Sequence, residues 1–291
     1  MSAPAIDLRG VWKGFHDARR DQTVIAVEDV SFSVGRGEFV CVLGPSGCGK
    51  STLLRILAGL DRQDLGEVAV KGHASVVFQE HGVFPWLSVE DNVGYPLKVR
   101  GAGRAERRRR VGPLLELTGL TDFRGAYPHQ LSGGMRQRTS VARALADDGE
   151  ILLMDEPFGA LDEQTRLVLQ QELLRIWQDS GKSVVFITHS VDEALTLADR
   201  VLVMSARPGR ILADVPVPFG RPRDILELRR DPRYGEITYE LWRLLRQGAA
   251  TASAGAVPTG PDASPASPAG PPGAPAGRGT PPSPPSEVRT P

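Results

Sequence analysis

Three short stretches of this sequence carry residue types suited to handling phosphate. The first is Gly44-Pro45-Ser46-Gly47-Cys48-Gly49-Lys50-Ser51-Thr52, which fits the spacing G-x-x-x-x-G-K-[ST]. It follows an apolar run, residues 39–43, and opens a helix-like stretch, residues 50–58. Glycines in such a turn let backbone N–H groups approach phosphate oxygens, and the helix N-terminus adds partial positive charge. Lys50 is placed to reach the β- and γ-phosphates of a nucleotide, and the Ser51 hydroxyl to ligate Mg²⁺.

The second stretch is Asp155-Glu156, closing the apolar run at 151–154. Successive side chains at a strand end point in different directions. One carboxylate, Asp155, can therefore hold the hydration shell of Mg²⁺ while Glu156 faces an attacking water as general base. The third is Ser132-Gly133-Gly134, where a serine suited to helix capping precedes two glycines that expose N–H groups. This makes a second anion-binding helix start. One nucleotide does not need two such sites in one chain, whereas two copies arranged head-to-tail would use both.

The elements that must position these residues are legible as a pattern. Strand runs at 39–43, 151–154, 183–187 and 201–204 alternate with helical stretches at 50–58, 165–178 and 191–198. Such alternation predicts a parallel sheet covered on both faces. The stretch 89–145 is mostly helical, clearest at 104–117, and is expected to be a helical subdomain inserted between two sheet strands. No internal repeat is present, so one cassette is expected, over residues 6–248. From 249 to 291 the chain is almost all Ala, Pro, Gly, Ser and Thr, with no Leu, Ile or aromatic residue. Such a composition cannot offset its ordering entropy by apolar burial, and a disordered tail is expected.

Composition narrows the classes. Lysine plus arginine equal aspartate plus glutamate at 35 each, which gives no support for broad electrostatic binding to nucleic acid. No apolar run is long enough for a membrane span, and the N-terminus lacks a secretory pattern. Two cysteines, Cys41 and Cys48, exclude a disulfide framework or a four-cysteine zinc site, and two reduced thiols in the cytosol are expected. The run Arg107 to Arg110 reads as a solvated helix face, with a lipid-headgroup or protein contact as the alternative.

The order of these motifs resembles that of the ATP-binding cassette (ABC) proteins. Ser132-Gly133-Gly134 looks like the family's signature motif, Gln79 like its glutamine loop, Gly159-Ala160-Leu161-Asp162 like its D-loop and His189 like its switch histidine. The resemblance covers about residues 6–214. It implies a P-loop NTPase fold: a RecA-like parallel sheet core, a small antiparallel β subdomain and an inserted α-helical subdomain. It implies ATP and Mg²⁺ as ligands. Gln79 would contact Mg²⁺ and the water, Ser132 to Gly134 the γ-phosphate held by the opposite subunit, Asp162 the opposite subunit near its phosphate loop, and His189 the γ-phosphate. Phe15 is the candidate platform for adenine and Trp12 the runner-up, with residues 17–23 resembling an insertion.

Longer strings, among them Phe84-Pro85-Trp86-Leu87-Ser88-Val89 and Ser205-Ala-Arg-Pro-Gly-Arg-Ile211, are similar to the nitrate, sulfonate and taurine importer group. That resemblance implies a head-to-tail homodimer docked on transmembrane permease subunits at the cytoplasmic face of the membrane. An external solute-binding protein would act indirectly. Phe84, Pro85 and Trp86 are expected to line a groove for a short permease helix. The solute stays open among nitrate, sulfonates, taurine and a pyrimidine precursor. An exporter ATPase, a soluble cassette acting on DNA or ribosomes, and a regulatory nucleotide binder are rival readings. The absence of spans, of coiled-coil insertions and of a second cassette, and the intact Lys50, Asp155, Glu156 and His189, argue against them in turn.

Overall fold

The computed structural model describes residues 3–18, 21–79 and 82–254. Its centre is a six-stranded sheet built from β3 (Phe39–Leu43), β5 (Ala74–Val77), β6 (Ile151–Asp155), β7 (Ser183–Thr188), β8 (Arg200–Met204) and β9 (Ile211–Pro216), in the order β5-β6-β7-β3-β8-β9. The first five in that order run parallel; β9 pairs antiparallel with β8 at one edge. The short β5 forms the other edge. In β3 the period-two alternation sends Phe39, Cys41 and Leu43 into one core and Val40 and Val42 into another. Both faces are buried, so the strand reads as an unbroken apolar run.

The first core packs against α6 (Glu163–Ser180), α7 (Val191–Leu197) and α9 (Pro232–Ala254) through Leu169, Leu173, Trp177, Leu195 and Leu241. The second face is covered differently from a purely helical layer. Its cover is α1 (Lys50–Leu57) together with a three-stranded antiparallel sheet, β2 (Gln22–Val34), β1 (Ile6–Asp17) and β4 (Leu65–Val70), with β1 central. β1 and β2 pair as far as His16 with Thr23 and Asp17 with Gln22.

Between β5 and β6 the chain leaves the sheet and builds α2 (Val89–Val93), α3 (Tyr95–Val99), α4 (Arg104–Leu117) and α5 (Gly133–Ala146). These have a core of their own, formed by Val89, Val93, Leu97, Val111, Leu115, Leu120 and Ala142. Within the arginine run Arg110 turns inward to Asp148, while Arg108 and Arg109 are exposed. The compositional break near Gly248 falls inside α9, which runs on to Ala254. An alanine-rich stretch lacks core-forming residues yet favours the helix, so the two signals part there. The rest of the expected tail, 255–291, lies outside the described residues. Among the described residues no helix is long and apolar enough to cross a membrane.

Candidate functional site

Four strands deliver the site at their carboxyl ends, where open parallel sheets place ligands. β3 feeds the glycine-rich loop, β6 ends in Asp155, β7 is followed by His189, and β5 leads to Gln79. Because β5, β6, β7 and β3 are neighbours in that order, residues far apart in sequence line one rim.

The loop 44–49 turns into α1 at Gly49, whose φ of +103° and 2.4 Å approach of a would-be Cβ to the Ala26 carbonyl admit only glycine. Lys50 is buried along the loop, its Nζ donating to the carbonyls of Gly44 (2.8 Å) and Pro45 (2.9 Å). Cys48, within the loop, is buried, and burial pushes its thiol up from the ordinary range, as it does for Cys41. A cleft of about 420 Å³ opens above the loop. Phe15, Ala26, Ser46, Lys50, Gln79 and Glu156 are among the residues that line it.

Asp155 is 5% exposed, and burial, opposed by a hydrogen bond from Ser51, pushes its carboxyl above the usual range. Its Oδ1 has no hydrogen-bond partner among the described residues. A buried carboxylate oxygen left open beside a hydroxyl is a donor set that fits a hard divalent cation completing its shell from phosphate and water. Glu156 adopts φ +45°, rare for a residue with a side chain. The turn is held by Glu156 N donating to Ile187 O (3.0 Å) and Gly159 N donating to Glu156 O (3.1 Å). Its carboxylate thereby lies 3.3 Å from His189 Nδ1 and 3.5 Å from Gln79 Nε2. The structure thus brings Gln79, Glu156 and His189 together, with Gln79 and Glu156 lining the cleft and His189 reaching it through Glu156.

Phe15 is 46% exposed on the cleft wall, with Lys13 Nζ 5.3 Å from its ring centre. Trp12 sits beside Leu65 on the β1–β4 pairing and is not among the residues lining the cleft. Ser132 caps α5, its Oγ accepting from Met135 N (3.2 Å). Ser132, Gly133 and Gly134 do not line the cleft of their own chain. Asp162 is exposed and caps α6, its Oδ1 accepting from Thr165 N (2.9 Å).

Sequence reasoning missed Arg207. Its guanidinium lines the cleft and donates to the Gly47 carbonyl (3.1 and 3.2 Å). The string Ser205–Ile211 was its one signal. Its turn is stapled across the molecule, with Gly209 N donating to Ala26 O and Glu28 N to Gly209 O.

Comparison with known proteins settles the family. Residues 27–159 match the family model described as ABC transporter. The taurine import ATP-binding protein TauB of Rhizobium johnstonii is 46% identical over 252 residues, covering 82% of this chain and 96% of the relative. This chain belongs to the ABC transporter ATP-binding proteins. The nitrate import ATP-binding protein NrtD of Synechococcus elongatus is 44% identical over 227 residues, 74% of this chain and 83% of that one. Among solved structures, the dimeric bacterial ABC transporter cassette MJ0796 superposes with a TM-score of 0.68 at 32% identity, covering 74% of this chain and all of that one. The same cassette has been captured as a dimer in a post-hydrolysis state bound to ADP and phosphate. The chain is an ABC-type ATPase, with a P-loop NTPase core, a small antiparallel sheet and an inserted helical subdomain.

Proposed function

We propose that two copies of this chain close head-to-tail on two ATP molecules and drive an importer for nitrate, a sulfonate, taurine or a related small solute. The observation that carries the reading is a site incomplete within one chain. Gln79 and Glu156 line the cleft over the phosphate loop, with His189 against Glu156, while the capped helix start at Ser132 to Gly134 lies outside that cleft. A second copy would bring its Ser132, Gly133 and Gly134 onto the γ-phosphate, with Asp162 beside the phosphate loop it faces. The dimeric state of the MJ0796 cassette supports this arrangement.

In this reading adenine stacks on Phe15. The backbone of Gly44, Pro45, Ser46, Gly47, Cys48 and Gly49 cradles the phosphates with Thr52, and Lys50 leaves the Gly44 and Pro45 carbonyls for phosphate oxygens. Mg²⁺, held through Ser51, Asp155 and Gln79, would supply charge neutralisation between the phosphates. Glu156 then takes a proton from, or orients, the attacking water for in-line displacement. His189 holds the γ-phosphate side of the same geometry.

Transmission outward uses the segment after Gln79. Asn92 is fully buried and clasps residues 84–88, accepting from Phe84 N and donating to the carbonyls of Phe84, Leu87 and Ser88. This leaves Trp86 70% exposed, its ring 5.6 Å from that of Phe84. An exposed tryptophan on a clasped loop is a fitting seat for a permease helix at the cytoplasmic face of the membrane. The names of the taurine and nitrate relatives support the importer assignment.

The test is the steady-state ATPase rate per chain against chain concentration, with and without Mg²⁺. The expected result is a Mg²⁺-dependent rate per chain that rises with concentration and saturates as the dimer forms. A flat profile from a species whose measured mass is monomeric overturns the shared site.

A further inference from the structure

Glu193 is a buried carboxylate that none of the motifs includes. It lies in the first turn of α7, 7% exposed, and burial pushes its carboxyl up from the ordinary range. A charged group is held in such a place only by specific partners. Its partners lie on two sides.

On one side Thr188 Oγ1 donates to Glu193 Oε2 at 2.5 Å, and the same Oγ1 accepts from Ser190 N at 3.0 Å. Ser190 Oγ in turn accepts from Glu193 N at 3.3 Å. These bonds close a ring around His189, fixing the residue before it and the residue after it. The imidazole itself stays exposed, 3.3 Å from Glu156.

On the other side, Glu193 Oε1 accepts from Gln170 Nε2 at 3.4 Å and lies 3.8 Å from Arg166 Nε. Arg166 Nη2 donates to the Leu161 carbonyl at 3.0 Å, and Arg166 N to the Asp162 carbonyl at 2.9 Å. Arg166 Nη1 also meets Glu163. Leu161 and Asp162 form the turn that enters α6, exposed at Asp162. One carboxylate therefore joins that turn to the backbone on either side of His189.

We propose that Glu193 is a positioning residue for ATP hydrolysis, holding His189 in register with Glu156 and receiving the state of the Leu161–Asp162 turn through Arg166. This rests on the reading above, in which His189 acts at the γ-phosphate and the turn meets the second copy. Glu193 is buried and does not line the cleft. Its contribution appears in turnover and not in nucleotide binding.

The experiment uses the full chain with Mg²⁺ and ATP, measuring kcat, KM and, separately, the affinity for a fluorescent ATP analogue. Wild type is compared with H189A, E193Q and the double variant E193Q/H189A. E193Q is expected to lower kcat about tenfold, the scale of a misplaced catalytic group, with KM and analogue affinity within about twofold of wild type. The double variant is expected to match H189A alone, because Glu193 acts through the histidine. Thr188→Val and Thr188→Ser give the same test without touching the carboxylate: Val is expected to be as slow as E193Q, and Ser, which keeps the hydroxyl, to recover most of the rate. These two decide the matter if E193Q does not fold. An H189A loss beside a normal E193Q rate overturns this inference alone, as does an E193Q loss that multiplies with that of H189A. An H189A rate equal to wild type overturns the histidine reading and this proposal with it.

Discussion

The strand β6 has a pair of adjacent carboxylates near each end, and the two pairs are treated in opposite ways. Before the strand, Asp147 accepts from Ser75 (2.7 Å) and His73 (2.8 Å) and pairs with Arg100 (2.8 Å), while Asp148 is forked by Arg110. Burial pushes the Asp147 carboxyl up, but these partners outweigh it and hold the group below the usual carboxylate range. The Arg110 hydrogen bond does the same for Asp148. At the strand's end, Asp155 is pushed up by burial, one of its oxygens is unpartnered among the described residues, and Glu156 sits in strained backbone. The answered pair ties the helical insertion to the sheet. The unanswered pair is poised for groups that arrive with the substrate. Burial that raises the carboxyl, with backbone strain, at one end of a strand, against burial outweighed by an arginine and two hydrogen bonds at the other, separates chemistry from scaffolding.

The largest effect that sharpens this contrast is on turnover. Glu156→Gln keeps shape and removes the base. It is expected to lower kcat about 100-fold, as loss of general-base catalysis does, with ATP binding retained. Single-turnover hydrolysis beside an equilibrium binding titration checks both halves. Turnover within threefold of wild type would return Glu156 to the scaffold.

Next comes the answered pair. Asp147→Asn is expected to cost about 2 kcal/mol of folding stability at pH 7, the scale of hydrogen bonds to a charged group. The sign follows from the depressed pKa in the fold. The contribution is present above the unfolded carboxylate range and is lost as pH falls through the folded value. Denaturation midpoints of wild type and variant should therefore converge below about pH 4. ATPase activity per folded chain should hold. A gap that persists unchanged into acid would mean the charge is not what Asp147 contributes.

Much of this was readable before any coordinates, and the exceptions have physical reasons. The phosphate loop, the Asp155-Glu156 strand end and the Ser132 cap are local, so a few consecutive residues define them. The sheet core followed from apolar runs long enough to be buried on both faces. The choice between Phe15 and Trp12 was not readable. Both lie on β1, where register shifts interrupt the alternation between Leu8 and Gly14, so counting by twos cannot assign a face. Arg207 and Glu193 were missed because their meaning lies in partners remote in sequence: Gly47 for one, Arg166 and Gln170 for the other. Asp162 was read for a role across a dimer, and the structure adds a local one, the cap of α6. The last helix, α9, was not read from the sequence, and it runs past the compositional break near Gly248 because alanine, poor in core-forming surface, is the best helix former.

The smallest effect is the most discriminating, because it should improve the protein. Asp155 is disfavoured as a charge by burial, with the neighbouring Glu156 adding to the effect against the Ser51 hydrogen bond. A carboxyl whose folded pKa is raised lowers stability as pH climbs from the unfolded value through the folded one. Above both values the deficit is complete. Asp155→Asn keeps an acceptor for Ser51 and abolishes the titration. Without nucleotide or Mg²⁺ it is expected to raise stability by on the order of 1 kcal/mol at pH 7, the range seen when a strained site is relaxed. The gain should vanish near pH 3, where wild-type Asp155 is protonated in both states. The same variant should lose Mg²⁺-dependent ATP turnover. Thermal melts across pH with activity on the same samples give both readings. A melting point at pH 7 equal to or below that of wild type would show that Asp155 is as well answered as Asp147, and the two ends of β6 would then not differ in kind. A stabilised, inactive chain would show that the end of β6 gives up stability to keep a carboxylate open for a cation.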